Sequence, residues 1–247
     1  NILIEGVITS SSSTVCLEFY FCESCNVFIN TLKGIETSDY EQLICDGVKF
    51  TNCCFIDFSV NTIWGFKDAI RLDAVDLRPS VDLRGTYNLT IKFEHLKGCH
   101  TGIHILKTTD TAWINENRFI GGSISSQYSI IQGSESATTL TPGSQYNRNI
   151  FELIAFEQVK SDAVVMYEAN SCVVRSCRPE NPRTIGNYII KEGVCPQRNL
   201  YDFGLSTIEL KLVQLNLTNF GSTLIGDLRY NTSVVGKKVS VLNNEEK

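Results

Sequence analysis

Along this chain the apolar residues fall in short alternating runs and not in helical periods. Val48 and Phe50, Ile70 and Leu72, Ile103 and Ile105, and Val164 and Met166 each flank one intervening position. The runs are β-branched or aromatic and are punctuated by Gly, Ser, Asn and Asp, which predicts strands. Two rows of such runs recur. The first is "QLIC" at 42–45, "AIRL" at 69–72, "GIHI" at 102–105, "SIIQ" at 129–132, "AVVM" at 163–166 and "YIIK" at 188–191. With Leu43, Ile70, Ile103, Ile130, Val164 and Ile189 taken as equivalent, the steps are 27, 33, 27, 34 and 25 residues. The second row opens on Asn26, Asn52, Asn88, Asn117, Asn149, Asn170 and Asn199.

Two rows sharing one irregular period describe a coil. Each turn lays down short strands, and successive turns stack so that the apolar face of one is buried against its neighbours. The prediction is an all-β chain, a right-handed parallel β-helix of about seven to eight rungs over 1–204, with 205–247 a last coil or a capping segment. At about 4.8 Å per rung it would stand about 35–40 Å tall. Asn suits the bends because it tolerates left-handed backbone, and stacked amides can bond from rung to rung. A β-sandwich would need frequent hairpin joins, and Asp46-Gly47 is the single "NG" or "DG" step.

Composition narrows the function classes. A net charge of −5 in 247 residues offers no field for phosphate backbones, so nucleic acid is not an expected partner. No apolar stretch approaches the roughly 18 residues that a membrane span needs, so no membrane insertion is expected. The chain opens on Asn1 without a signal-like pattern, as a processed product or part of a longer protein would. Ten cysteines, the Cys22-x-x-Cys25 pair among them, lack the second half of a zinc site. Buried free thiols are expected, with no metal and no cofactor. Sequons at Asn88, Asn216 and Asn231 are unsurprising in an Asn-rich chain.

The candidate chemistry is acidic. After the first row come Asp73, Asp76, Asp110, Glu135, Glu168 and Glu192, at similar offsets on successive rungs. Equivalent side chains on adjacent rungs lie about 5 Å apart. Paired carboxyls at roughly 5–5.5 Å or 6.5–9.5 Å hydrolyse glycosides with retention or inversion. Asp73, Asp76, Asp110 and Glu135 are therefore the catalytic candidates, against the plainer reading of solvated acidic turns. Arg71 and Arg78 flank the Asp73-x-x-Asp76 pair and can bind hydroxyls or carboxylates. Trp64, Tyr128 and Trp113, with Tyr87 and Tyr146, offer faces for sugar stacking or for packing between rungs.

An Asn-rich, acidic β-helix of irregular rungs without pectinase motifs resembles the central domain of bacteriophage tailspike and tail-fibre proteins. The string "WINENRFIGGSI" at 113–124 is similar to a segment that recurs in them. The resemblance implies a homotrimer on the virion tail, outside the cell, that grips bacterial surface polysaccharide (capsule or lipopolysaccharide) and in many members cleaves it. It also implies contacts to other virion tail proteins through segments not in this chain. Some tailspike hydrolases pair an Asp-x-x-Asp with a Glu from a neighbouring rung, roles that would fall to Asp73, Asp76 and Glu41. The alternatives are a secreted β-helix lyase or hydrolase unconnected with a virus, and a non-catalytic structural or adhesive β-helix.

Overall fold

The computed structural model describes residues 15–76, 85–137, 146–179, 188–193, 195–209, 213–215, 222–230 and 233–241. Within them the chain is mostly strand, wound as a parallel β-helix whose coils carry three ladders, the third aligning Leu32, Ile63, Leu96, Ile124, Phe156 and Pro179. The first ladder stacks Val15–Tyr20, Asp46–Thr51, Asp68–Asp73, the ends of the long strands Thr90–Ile105 and Arg118–Gln132, then Val164–Met166, Ile190–Glu192 and Val213–Gln214. Its central register runs Leu17, Val48, Ile70, Ile103, Ile130, Val164, Ile190, Val213. The second ladder aligns Val27, Phe58, Ile91, Phe119, Phe151, Val174, Tyr201 and Leu224.

Both registers point inward. From Val48 and Phe58 onward the described residues of the two rows are essentially inaccessible, apart from the last in the first ladder, Val213, which is half-buried. Phe119 stacks on Phe151 with centroids 5.0 Å apart, and Phe19 on Phe50 at 4.9 Å. Each such side chain contributes about 2–3 kcal/mol by leaving water. The coil at 15–33 is covered from one side among the described residues, and Leu17 and Val27 are only half-buried. At the other end, Ser233–Val241 turns back and pairs antiparallel with Thr223–Tyr230.

Four of the six first-row anchors, Ile70, Ile103, Ile130 and Val164, share one position as expected. Val48 occupies the place assigned to Leu43, and Ile190 that assigned to Ile189. Leu43 instead ends a short 3-10 turn, Tyr40–Gln42, in an excursion between coils. In the Asn row, Asn117, Asn149 and Asn199 are equivalent. Asn26, Asn88 and Asn170 sit one or two places away, and Asn52 bridges to Val75 across the next coil.

The bend between the ladders has a constant geometry. Ser24, Phe55, Asn88, Glu116, Arg148, Ser171 and Arg198 occupy one column, one per coil, with φ between 53° and 59°. Left-handed backbone costs a non-glycine residue about 1–2 kcal/mol. The residue after it points inward, and side chains of the next coil capture the amides there. Leu89 N–H donates to Asn117 Oδ1 (3.1 Å), Asn117 N–H to Asn149 Oδ1 (3.0 Å) and Cys172 N–H to Asn199 Oδ1 (3.0 Å). Rung-to-rung amide bonding is thus present, and it lies inside the coil.

Gly121 and Gly122 lie within a strand and not at a corner, and neither has positive φ. They are needed because a β-carbon at Gly121 would overlap the Phe93 ring, and one at Gly122 the Glu94 carbonyl. None of the ten cysteines forms a disulfide, and six are buried. Cys53, Cys99 and Cys177 donate their S–H to the carbonyl two residues back, each at 3.4 Å.

Candidate functional site

The shortest coil brings two carboxylates together. Asp46-Gly47 and Asp68-Ala69 open consecutive first-ladder strands, and the Val48–Ile70 register puts Asp46 and Asp68 at the same position of neighbouring coils. Gly47 and Ala69 are small because the corner is tight: a β-carbon on Gly47 would press on the Ala69 carbonyl and on Phe66. Arg71 Nη1 lies 3.6 Å from Asp46 Oδ2 and 3.6 Å from Asp68 Oδ2. His104, aligned with Arg71 one coil on, places Nδ1 2.6 Å from Asp68 Oδ2. Asp68 is 1% exposed and Asp46 8%. Elsewhere around this coil, Glu41 of the 3-10 turn approaches His100 (3.7 Å), the His100 ring lies 5.4 Å from that of Tyr128, and Lys160 Nζ lies 4.5 Å from the Tyr40 ring.

Their environments separate the two carboxyls. Burial, then the charge of Asp68, pushes Asp46 up to about 6, against the pull of Arg71, Lys67 and His104. Burial would also raise Asp68, but the hydrogen bond and charge of His104, with Arg71 and Thr101, hold it below the ordinary carboxylate range. One group therefore holds its proton to about pH 6 while its neighbour stays ionised, a division of labour used in acid–base catalysis. Asp46 Oδ1, Asp68 Oδ1 and Arg71 Nε are buried without a hydrogen-bond partner. Buried orphans of this kind are uncommon in a packed interior, and three of the four among the described residues, Ser129 Oγ being the other, meet at this pair.

Arg71 is the one sequence candidate in this centre, and Tyr128 reaches it through His100. The other candidates lie elsewhere. Asp73 is buried and fully engaged, accepting from Thr108 Oγ1 and from Ala74 N–H, with Lys49 Nζ at 3.4 Å. Asp76 accepts from Thr111 Oγ1. Asp110 and Glu135 are exposed. Burial, against the hydrogen bond to the Lys107 amide and with the charges of Glu168, Asp73 and Asp110, pushes the Tyr146 phenol far above its ordinary range. Glu192, by contrast, is interior and accepts from Asn199, Tyr201 and Ser222. Trp64 covers Gly98 and carries Lys33 at 4.6 Å over its ring, while Trp113 covers Gly85. Arg78, Asn216 and Asn231 lie outside the described residues.

Asp46, Asp68 and His104 were not among the sequence candidates. Their signal is a repeated string, "DGVKF" at 46–50 and "DAIRL" at 68–72, in which acid, small, apolar, basic and apolar positions match one for one.

Two clefts open on the second ladder. One of about 430 Å³ is lined by Glu94, His95, Ser123, Glu157 and Arg178 among others, with His95 Nδ1 2.9 Å from Ser123 Oγ. The other, about 410 Å³, follows the left-handed column and is lined by Asn115, Glu116, Asn147, Arg148, Asn170, Ser171 and Arg198. Among the described residues no group of three His, Cys, Asp or Glu side chains is placed to hold a metal ion, and no helix is long and apolar enough to cross a membrane. Comparison with protein-family models, with curated proteins and with solved structures finds no match to this chain.

Proposed function

We propose that this chain is the central β-helix of a tailspike-type protein of the virion, homotrimeric in its native assembly, that recognises bacterial surface polysaccharide and hydrolyses it at the Asp46–Asp68 pair. The observation that carries the reading is that pair: two carboxyls on adjacent coils, shared by one arginine and separated in acidity. Equivalent side chains of neighbouring coils stand about 5 Å apart, which suits a retaining mechanism at roughly 5–5.5 Å. Protonated Asp46 gives its proton to the glycosidic oxygen as the C–O bond breaks. Ionised Asp68 attacks the anomeric carbon to form a glycosyl ester. A water molecule then displaces Asp68, losing its proton to Asp46, so that one water is consumed for each bond cut. Arg71 positions both carboxyls, and His104 orients Asp68 through its 2.6 Å contact.

The test is release of reducing ends from bacterial capsule and lipopolysaccharide. Asp46→Asn and Asp68→Asn should each lower kcat by on the order of 10²–10⁴-fold, with Asp110→Asn and Glu135→Gln close to wild type. Loss of release in Asp76→Asn or Asp110→Asn, with retention in Asp46→Asn, would move the chemistry to the acidic edge. Failure of the wild type to bind any such polysaccharide would remove the reading altogether.

A further inference from the structure

The cleft along the left-handed column is not used by the chemistry above, and its lining is unusual. All seven residues that line it are polar: three asparagines, a serine, a glutamate and two arginines. Small-molecule pockets are ordinarily mostly apolar with a few polar groups. This cleft has no aromatic platform of the kind that single-stranded nucleic acid stacks on. Nor has it an apolar hole for the anchors of a peptide.

Its groups are ordered by the coil. Asn115, Asn147 and Asn170, followed by Gln197, form one row down the solenoid. Glu116, Arg148, Ser171 and Arg198 form the adjoining row, which is the left-handed column itself. Positive φ in that column is therefore what turns these side chains out beside the amide row. Successive coils are about 4.8 Å apart, so Arg148 and Arg198 recur at about 10 Å along the axis. Arg148 is 72% exposed on its side chain, and its contact to Glu116 at 3.2 Å is an open surface pair of small strength. Guanidinium exceeds carboxylate in the cleft, on a chain whose net charge is −5.

From this geometry we infer that the cleft is a binding groove for an acidic polysaccharide, one bearing a carboxylate on alternate sugars or more often. The arginines take the carboxylates in forked hydrogen bonds, and the amide row bonds the hydroxyls of an extended chain lying parallel to the coil axis. The inference rests on the glycan reading above for its class of ligand, but not on hydrolysis at Asp46.

The probes are polygalacturonate as a carboxylated glycan, dextran as a neutral one and polyglutamate as a carboxylated chain without sugar, tested by calorimetry on the full protein. Polygalacturonate should bind at least tenfold more tightly than either other probe, and the binding should weaken with salt. Arg148→Gln with Arg198→Gln should reduce it at least tenfold, while Lys92→Gln on the same ladder leaves it unchanged. Wild-type circular dichroism in the double variant would confirm that the fold is kept. Equal binding of dextran, equal binding of polyglutamate or indifference to the double variant each overturns the groove. If the double variant leaves binding to bacterial polysaccharide intact, only this inference falls. If the wild type binds no polysaccharide of any kind, the glycan reading falls with it.

Discussion

At Asn117 and Asn149 the coil buries amides and completes their bonding, whereas at Asp46 and Asp68 it buries carboxylates and leaves atoms over. Asn149 Oδ1 accepts from the backbone and side-chain amides of Asn117, and its Nδ2 donates to the Ile114 carbonyl and to Gln132 Oε1. Asp46 and Asp68 share one guanidinium, and each has an oxygen without a partner. Both corners lie in the same solenoid, so burial alone does not mark a site. What distinguishes the second corner is burial that the protein's own hydrogen bonds do not repay. The first corner holds coils in register, and the second holds charge where the fold gains little from it.

The largest effect expected from this contrast is at the satisfied corner. Asn149→Leu strands the Asn117 backbone amide, the Ile114 carbonyl and Gln132 Oε1, each worth about 1–3 kcal/mol when buried and unpaired, while Asn117 Nδ2 keeps its bond to the Thr86 carbonyl. A loss of roughly 4 kcal/mol is expected from urea unfolding, and a loss below 1 kcal/mol would mean that the ladder is not what holds this corner.

The opposite sign is expected at the other corner. Folded Asp46 keeps its proton up to about pH 6, against an ordinary value of 3.8. Its raised pKa means that the charged form opposes folding. That cost is fully present above about pH 6 and fades as the pH falls toward 4. Asp46→Asn should therefore stabilise the protein by on the order of 3 kcal/mol at pH 8 and by almost nothing at pH 4. The difference between wild-type and variant unfolding curves across pH cancels independent groups such as Glu152, whose lowered value acts in the reverse sense, and reads Asp46 together with its coupled neighbour Asp68. A variant less stable than wild type at pH 8 would show that the Arg71 contact outweighs the burial of charge.

The smallest effect needs no mutation. Cys53, Cys99 and Cys177 are pushed up to about 12 by burial, so at pH 8 they are protonated as well as covered. Alkylation of the folded protein, read by mass spectrometry, should modify half-buried Cys16, Cys22 and Cys45 well before these three. Equal labelling would indicate that the corners open on the timescale of the reaction.

The coil was legible in the sequence because its first-row anchors at Ile70, Ile103, Ile130 and Val164 are set by side-chain burial, which leaves a periodic trace. The pair at Asp46 and Asp68 was not. Choosing Leu43 as an anchor placed that coil five residues out of register, so Asp46 seemed to follow the apolar position by three when it precedes Val48 by two. The excursion that contains the 3-10 turn caused the slip, because an apolar leucine at its end resembles a strand residue. The successive carboxylates were legible as a series but not as an environment. Asp73 and Glu192 are interior and satisfied while Asp110 and Glu135 are exposed, a distinction that only the packing of neighbouring coils decides.

The left-handed column carries one consequence for how such a chain changes over time. Its seven positions hold serine, phenylalanine, asparagine, glutamate and arginine, yet their φ angles agree within a few degrees. The spacing between them ranges from 23 to 33 residues, so each coil can lengthen at its loops without disturbing the next bend. The reading frame of the solenoid is thus written in a backbone angle and not in a letter. A fold indexed in that way can exchange most of its alphabet and keep its shape, and its ancestry is better sought in the periodicity of its bends than in the residues that make them.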